Sequence, residues 1–280
     1  MDGRIHHTTL RAGLIGLSLL VIVSTAFAVE PRKAAAVGGN RSPQRVVKAP
    51  VRVASLTFIE PNGTRIPVVE VWSNGQVNAI ELRGTRQNPV KATLTDRLSS
   101  SELQGLHQLL FQDCHLETQT TEGLNESLRR ASEQQQLTAE IEGAAATEIG
   151  ILNGPEWRTV TCPAVSILTT RFPDVAEVQN IAAAQSSLQN IAAVALVGGG
   201  PTADGHAAAA TQKLREVYPQ AGEITRRHLT MVRRLPNGSQ FAQFHYAGAR
   251  GSENGCLVSV TKSPEGPTRV SVMESPTVVR

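Results

Sequence analysis

Apolar and alternating stretches separated by Asn-Gly pairs recur along this chain. The pairs stand at 62–63, 74–75, 153–154, 237–238 and 254–255, and stretches rich in Val, Ile, Leu, Thr or Phe flank each of them. A type I′ turn needs a positive φ at both central residues, which Asn and Gly tolerate, so each pair predicts a two-residue β-hairpin. Five such pairs predict a largely antiparallel protein of the α+β class, built from two modules of hairpins packed with helices.

The first module is predicted to span 51–197. Its opening strands, at about 53–60, 64–72 and 76–83, would form a meander through the first two Asn-Gly turns. A further hairpin would turn at Asn153-Gly154, between two short apolar stretches. These segments together predict an antiparallel sheet in this half of the chain.

Helices of the first module have their own signatures. Ser99 and Glu102 have the spacing of a capping box, which predicts that a helix begins there. Residues 121–136 are polar and fit either a surface helix or a loop. Residues 174–197 predict a long helix, because their apolar positions recur at helical spacing. The stripe consists of Val178, Ile181, Gln185, Leu188, Ala192 and Ala195.

The second module is predicted to span 205–280, after a Gly/Pro linker at 198–204. A helix from about Gly205 to Tyr218 precedes strands near 224–235, 239–247, 256–262 and 268–274. One helix followed by four antiparallel strands resembles the layout of cystatin-like folds, which is an analogy at the level of the fold alone.

The first 28 residues have the layout of a secretory signal. A basic start precedes an apolar run over 12–23, and Ala26-Phe27-Ala28 supplies small residues at the cleavage positions. Cleavage near Ala28 would place the mature chain in the periplasm, the cell envelope or the extracellular space. An uncleaved membrane anchor is the alternative, and in that case alone would the chain contact a membrane. Residues 29–50, with five basic residues, one acidic residue and three prolines, predict a disordered basic tether.

Composition argues against nucleic-acid binding but does not decide whether the cysteines form a disulfide. A net charge of +3 and an aromatic content of 4% argue against nucleic-acid binding. In an oxidising compartment, Cys114 and Cys162 make the simplest disulfide, with Cys256 left over. The alternative is three buried thiols that pack as small apolar groups.

The hairpin at Asn237-Gly238 predicts one candidate binding surface. A two-residue turn would place Thr230 opposite His245, with His228 about 7–8 Å away on the same face. Period-2 alternation points this face to solvent and makes it cationic and partly aromatic. Its candidate partner-binding residues are Arg226, His228, Arg234, Phe241, Gln243 and His245. Such a surface favours an acidic protein or an acidic envelope polymer; a solvated face without a role is the alternative.

Two enzymatic interpretations compete with binding. Residues 194–203 satisfy G-x-G-x-x-A and resemble the phosphate turn of flavin- and nicotinamide-dependent reductases. The alternative is a helix end followed by a linker, which needs no ligand. A metal site would draw on His107, Cys114 and His115, although their spacing matches no standard site.

The main interpretation is an exported, non-catalytic interaction module with no cofactor, metal or catalytic residues assigned. Nucleophile-elbow, zinc-protease, P-loop and C-x-x-C motifs are missing from the sequence. The runner-up is a dinucleotide- or metal-dependent enzyme. A third possibility is an inhibitor that presents a hairpin turn to a protease, as the cystatin-like layout would allow.

Overall fold

The computed structural model describes residues 49–85, 88–235, 237–247 and 255–274. The predicted signal segment 1–28, nearly all of the predicted tether and Asn254 of the fifth Asn-Gly pair lie outside these residues. The described residues belong to one compact unit.

Two antiparallel sheets and five α-helices make up the described part of the chain, which confirms the α+β class. The six-stranded sheet has the order β4-β3-β2-β1-β5-β6 and the four-stranded sheet the order β10-β9-β8-β7. The strands of the first sheet are β1 (Arg52–Ile59), β2 (Arg65–Trp72), β3 (Gln76–Thr85), β4 (Asn88–Arg97), β5 (Ala146–Asn153) and β6 (Glu156–Pro163). Those of the second are β7 (Leu229–Arg234), β8 (Gln240–Tyr246), β9 (Cys256–Lys262) and β10 (Arg269–Glu274).

The helices lie between and beside these strands. They are α1 (Ser100–His107), which continues as a π-helical segment Gln108–Asp113, α2 (Thr121–Gln135), α3 (Val165–Arg171), α4 (Ala176–Val197) and α5 (Gly200–Val217). The predicted capping box is confirmed: Ser99 Oγ accepts from the Glu102 N–H, and the Ser99 N–H donates to Glu102 Oε2 at 2.8 Å. The α5 helix starts five residues earlier than predicted, because Pro201 occupies its first turn, where the missing N–H costs nothing.

The four Asn-Gly pairs in the described ranges do turn hairpins, but the predicted type I′ geometry, with Asn and Gly as the two central residues, is wrong at all four. In the pairs at 62–63, 74–75 and 237–238 only the glycine has a positive φ, between 79° and 83°. Each asparagine side chain instead accepts from the N–H two residues further on, at 2.9–3.0 Å. The connection then contains three residues, with the glycine in the left-handed position. At the fourth described pair, Asn153 stands opposite Glu156, so Gly154 and Pro155 form the two-residue loop.

Each sheet covers its own hydrophobic core, and α4 contributes to both. The predicted stripe of α4 faces the six-stranded sheet, with Val178, Ile181 and Leu188 fully buried. Gln185 interrupts this stripe because its Oε1 accepts from Thr147 Oγ1 at 2.9 Å. At the end of the same helix, Val197 joins the core of the four-stranded sheet. The helix α5 completes that second core, so the α-β-β-β-β layout is as predicted.

No disulfide links the cysteines of the described structure, so the predicted Cys114–Cys162 bridge is corrected to free thiols. Cys114, Cys162 and Cys256 are all buried and unbridged. Cys114 directly follows the π-helical segment and Cys162 lies on β6, and both pack into the core of the six-stranded sheet as small apolar groups. Burial raises the pKa of Cys162 to about 12, which keeps its thiol protonated and unreactive.

None of the helices in the described ranges is, by itself, long and apolar enough to cross a membrane. The pair α4 and α5, bent by 97° at their junction, meets that test of length and composition only when taken together.

Candidate partner-binding surfaces

The β7–β8 hairpin differs by one residue from its predicted register. The Leu235 N–H donates to Ser239 O at 2.8 Å, and the Gly238 N–H donates to Leu235 O at 2.9 Å. Three residues therefore separate the paired positions, whereas a two-residue turn would have paired Pro236 with Ser239. The slip moves each residue from Met231 to Arg234 to the side opposite the one predicted, because side chains alternate along a strand.

The slip changes which residues share the open side of the sheet. Arg234 pairs with Gln240 and lies on the side of the helices, while its neighbour Arg233 pairs with Phe241 on the open side. Phe241, Gln243 and His245 remain on the open side as predicted. Arg233 therefore takes the place that was predicted for Arg234.

Arg226 and His228 do not belong to the strand at all. They form the short 3-10 turn Arg226–His228 before β7, and a bulge between Leu229 and Met231 separates this turn from the regular ladder. The His228 Nδ1 accepts from the Thr225 N–H at 2.9 Å, so this histidine stabilises the turn. Its ring centre lies 5.7 Å from that of Tyr246.

The open side of the four-stranded sheet is a continuous cationic and apolar surface, here named the outer face. Strand pairing sets its residues in three rows: Arg233, Phe241, Thr261, Arg269; Met231, Gln243, Ser259, Ser271; and His245, Leu257, Met273. The side chains of Ala242, Phe244 and Val258 point the other way, into the core. Within the described residues of these strands, the single carboxylate is that of Glu274, which lies on the core side and accepts from Tyr218 Oη at 3.0 Å.

Several features of the outer face are typical of a contact surface. Met273 is 53% exposed although it is apolar, and Phe241 and Leu257 are partly exposed. Ser259 stands in the middle row, and its buried Oγ has no hydrogen-bond partner among the described residues. A buried hydroxyl without a partner costs free energy, so the described fold leaves this one polar group of the outer face unsatisfied.

A second concave surface lies between α1 and α4, and we name it the groove. It has a volume of about 650 Å³, within the range of small-ligand sites. One wall is α1 with its π-helical extension, the other is α4, and the 3-10 turn closes one end. The lining contains apolar, hydroxyl and charged side chains, namely those of Leu98, Ser101, Glu102, Leu106, Leu109, Asp113, Ser186, Ser187, Asn190, Ile191, Val194, Arg226 and Arg227.

Arg226 connects four elements at the closed end of the groove. Its Nη2 lies 3.1 Å from Glu102 Oε1 on α1, and its Nε lies 3.7 Å from Asp204 Oδ1 on α5. Its carbonyl oxygen accepts from Asn190 Nδ2 on α4 at 2.8 Å. Hydrogen bonds from Ser99, reinforced by the charges of Arg226 and Arg227, hold the pKa of Glu102 below its usual range.

The turn at Gly198–Gly200 joins α4 to α5 and lies against the side chain of Arg226. The Gly199 N–H donates to Val194 O at 2.9 Å, which ends α4, and α5 begins at Gly200. A dinucleotide-binding turn requires a strand before the glycines, so the predicted resemblance lacks its structural context here. A Cβ on Gly200 would lie 2.3 Å from Arg226 Nη1, and one on Gly199 would lie 3.1 Å from Asp96 Oδ1. These close approaches account for two of the three glycines.

The residues considered for a metal site are not assembled into one. His107 stacks on Phe111 with ring centres 4.3 Å apart, Cys114 is buried and His115 is exposed. Over the whole described part of the chain, no three His, Cys, Asp or Glu side chains are placed to hold one metal ion.

Comparisons with known proteins add no family assignment. A scan against models of protein families matches none of them, and a search of curated proteins finds no match.

Proposed function

We propose that this chain is an exported, non-catalytic binding module whose outer face docks an acidic protein. The proposal of export rests on the signal-like segment 1–28. The observation that carries the proposal of docking is the composition of the outer face, which holds two arginines and a histidine and no carboxylate among its described residues. A surface of one sign favours encounter with a partner of the opposite sign.

The two arginines stand at opposite ends of one row. Arg233 and Arg269 are separated by three strand spacings, about 14 Å between their Cα atoms. Phe241 and Thr261 lie between them, so a partner that pairs a carboxylate with each arginine would cover an aromatic side chain. Interfaces commonly combine arginine with aromatic residues in this way. This arrangement favours a protein segment, with apolar and acidic side chains together, over a polyanion that offers charge alone.

The experiment measures binding of a fluorescent peptide that alternates Glu with Leu or Phe. Fluorescence anisotropy of this peptide with the intact protein should show saturable binding that weakens as salt increases. A Lys-containing analogue should not bind. The double variant R233Q/R269Q should weaken binding about tenfold or more, since it removes two charged contacts. The control R234Q/R215Q carries the same net charge and leaves the outer face unchanged, so its affinity should equal that of the wild type.

Three results would contradict the proposal. Equal losses in both double variants would indicate a non-specific charge effect. Binding of polyphosphate as tight as that of the peptide would indicate an anionic polymer as partner. Absence of saturable binding at low salt would remove the acidic-protein assignment altogether.

A further inference from the structure

We infer that the groove binds a short apolar peptide of four or five residues with free termini. This site lies beside α1 and α4 and shares no residue with the outer face, so the inference is independent of the proposed function. Two observations carry it: the separation of opposite charges along the groove, and the mixture of apolar and hydroxyl side chains between them.

The groove has an unpaired guanidinium at one end and a carboxylate at the other. At one end Arg226 and Arg227 accompany Glu102, whose carboxylate is already paired with Arg226 at 3.1 Å. Asp204 also lies 3.7 Å from Arg226, so two carboxylates share Arg226. The exposed Arg227 has no ion pair among the described residues and gives this end one free guanidinium. At the other end the groove is lined by Asp113, the last residue of the π-helical segment. A ligand that carries an anion at one terminus and a cation at the other complements both ends.

The length of the groove sets the length of the peptide. Glu102 and Asp113 lie on one continuous helical stretch, eleven positions apart. At about 1.5 Å per residue, the two ends are roughly 16 Å apart, or slightly less because of the π-helical segment. An extended chain covers about 3.3–3.6 Å per residue. Four or five residues therefore place the terminal carboxylate near Arg227 and the terminal ammonium near Asp113.

The middle of the groove suits a peptide better than a fatty acid. Partly buried apolar side chains, among them Leu109, Ile191 and Val194, offer contacts to apolar side chains of the ligand. The hydroxyls of Ser186 and Ser187 on α4 offer hydrogen bonds to peptide groups. An acyl chain would use neither these hydroxyls nor the negative charge of Asp113.

The test is isothermal titration of the intact protein with Leu-Ala-Leu-Ala in four forms. The forms have free termini, an N-acetyl group, a C-terminal amide, or both caps. Each cap should weaken binding about twofold to fivefold, because it removes one charge pair at an exposed site. In the variant R227Q, the amidated and free peptides should bind equally well. In D113N, the acetylated and free peptides should bind equally well.

Matched controls keep the result specific. The variants R130Q and D174N change exposed charges elsewhere and should retain the full effect of both caps. R233Q/R269Q, altered on the outer face, should bind the tetrapeptide like the wild type, which separates this inference from the proposed function. The inference is overturned if the free tetrapeptide shows no saturable binding, or if capping has the same effect in R227Q and D113N as in the wild type. Tighter binding of decanoate than of the tetrapeptide would overturn it as well.

Discussion

Arg226 and Glu102 form an ion pair that links the second module to the first, with 3.1 Å between Nη2 and Oε1. Both side chains are more than a third exposed, so the pair itself stabilises the fold by about 0.5 kcal/mol. Its larger effect is geometric. The guanidinium packs against Gly200 and the carboxylate caps α1, so the pair positions one end of the groove.

Replacing Glu102 by Gln tests this link. Glutamine retains a capping side chain but removes the charge, so we expect a small loss of stability, about 0.5–1 kcal/mol in urea unfolding. Because the pKa of Glu102 is lowered in the fold, its contribution exists above the unfolded pKa of about 4.3 and disappears as the pH falls through the folded value. E102Q should therefore lose less stability than the wild type on acidification below about pH 4.5. E133Q, on the exposed side of α2, is the control, and an E102Q curve parallel to that of the wild type would contradict the link.

His206 should make the second module sensitive to moderate acid. Both ring nitrogens are buried without hydrogen-bond partners in the described structure, and burial, with the charge of Lys262, lowers the pKa of this histidine. The unfolded chain then binds a proton at about pH 6.5 while the folded chain does not, so stability decreases as the pH falls below that value.

The variant H206L removes this titration and buries no unsatisfied nitrogen. Urea unfolding followed by circular dichroism at pH 7.5 and pH 5.5 should show a smaller decrease for H206L than for the wild type. The exposed His245, replaced by Leu, should leave the decrease unchanged. If H206L and the wild type lose stability equally, another group controls the pH dependence.

Gly150 should not tolerate a side chain. A Cβ there would lie 2.3 Å from Trp157 Cζ2 and 2.8 Å from Ser55 Oγ, because the indole ring lies over the glycine on the sheet. The guanidinium of Arg52 stacks on the same ring at 4.2 Å, which restricts its movement. We expect G150A to cost about 1–3 kcal/mol and to shift tryptophan emission. Both tryptophans of the chain, Trp72 and Trp157, are in the six-stranded sheet, so the emission reports on that module.

Gly205 provides the opposite control. It lies inside α5, and a methyl group added to it would meet open space, so G205A should stabilise the protein by about 0.5–1 kcal/mol through helix propensity. Equal stabilities of G150A and the wild type would contradict the prediction for Gly150, because they would show that the Trp157 ring can move away to make room for a methyl group.

The cysteines should be unreactive until the protein unfolds. All three thiols are buried, and burial raises the pKa of both Cys114 and Cys162. A thiol reagent at pH 8 should modify no cysteine within minutes in the native protein and three after denaturation. The intact mass should be the same with and without reduction. A mass two units lower before reduction would show that a disulfide forms.

Local signals in the sequence predicted much of the fold. The capping box at Ser99 and the apolar stripe of α4 were identified because both depend on residues three or four positions apart. The strand β4 was missed, although its Lys91, Ala92, Thr93 and Leu94 alternate between exposed and partly buried positions. That alternation was the available signal, but no Asn-Gly pair marks either end of the strand.

The register of the β7–β8 hairpin was not predictable from the Asn-Gly pair alone. The same two residues fit a two-residue turn, or a three-residue turn in which Asn237 accepts from the Ser239 N–H. Because of this ambiguity, the sequence predicted Arg234 on the open side of the sheet, where the structure places Arg233. The groove could not be predicted either, because its walls, α1 and α4, come from distant segments of the sequence. The gap between them exists only after the helices have packed.

The most direct test of the outer face compares two adjacent charge reversals, R233E and R234E. Both side chains are exposed, and both variants change the net charge equally, but only Arg233 lies on the outer face. Anisotropy titrations with the alternating Glu peptide should show that R233E weakens binding about tenfold or more, while R234E binds with nearly the affinity of the wild type. Equal affinities of the two variants, or a greater loss in R234E, would contradict the assignment of this face as the docking surface.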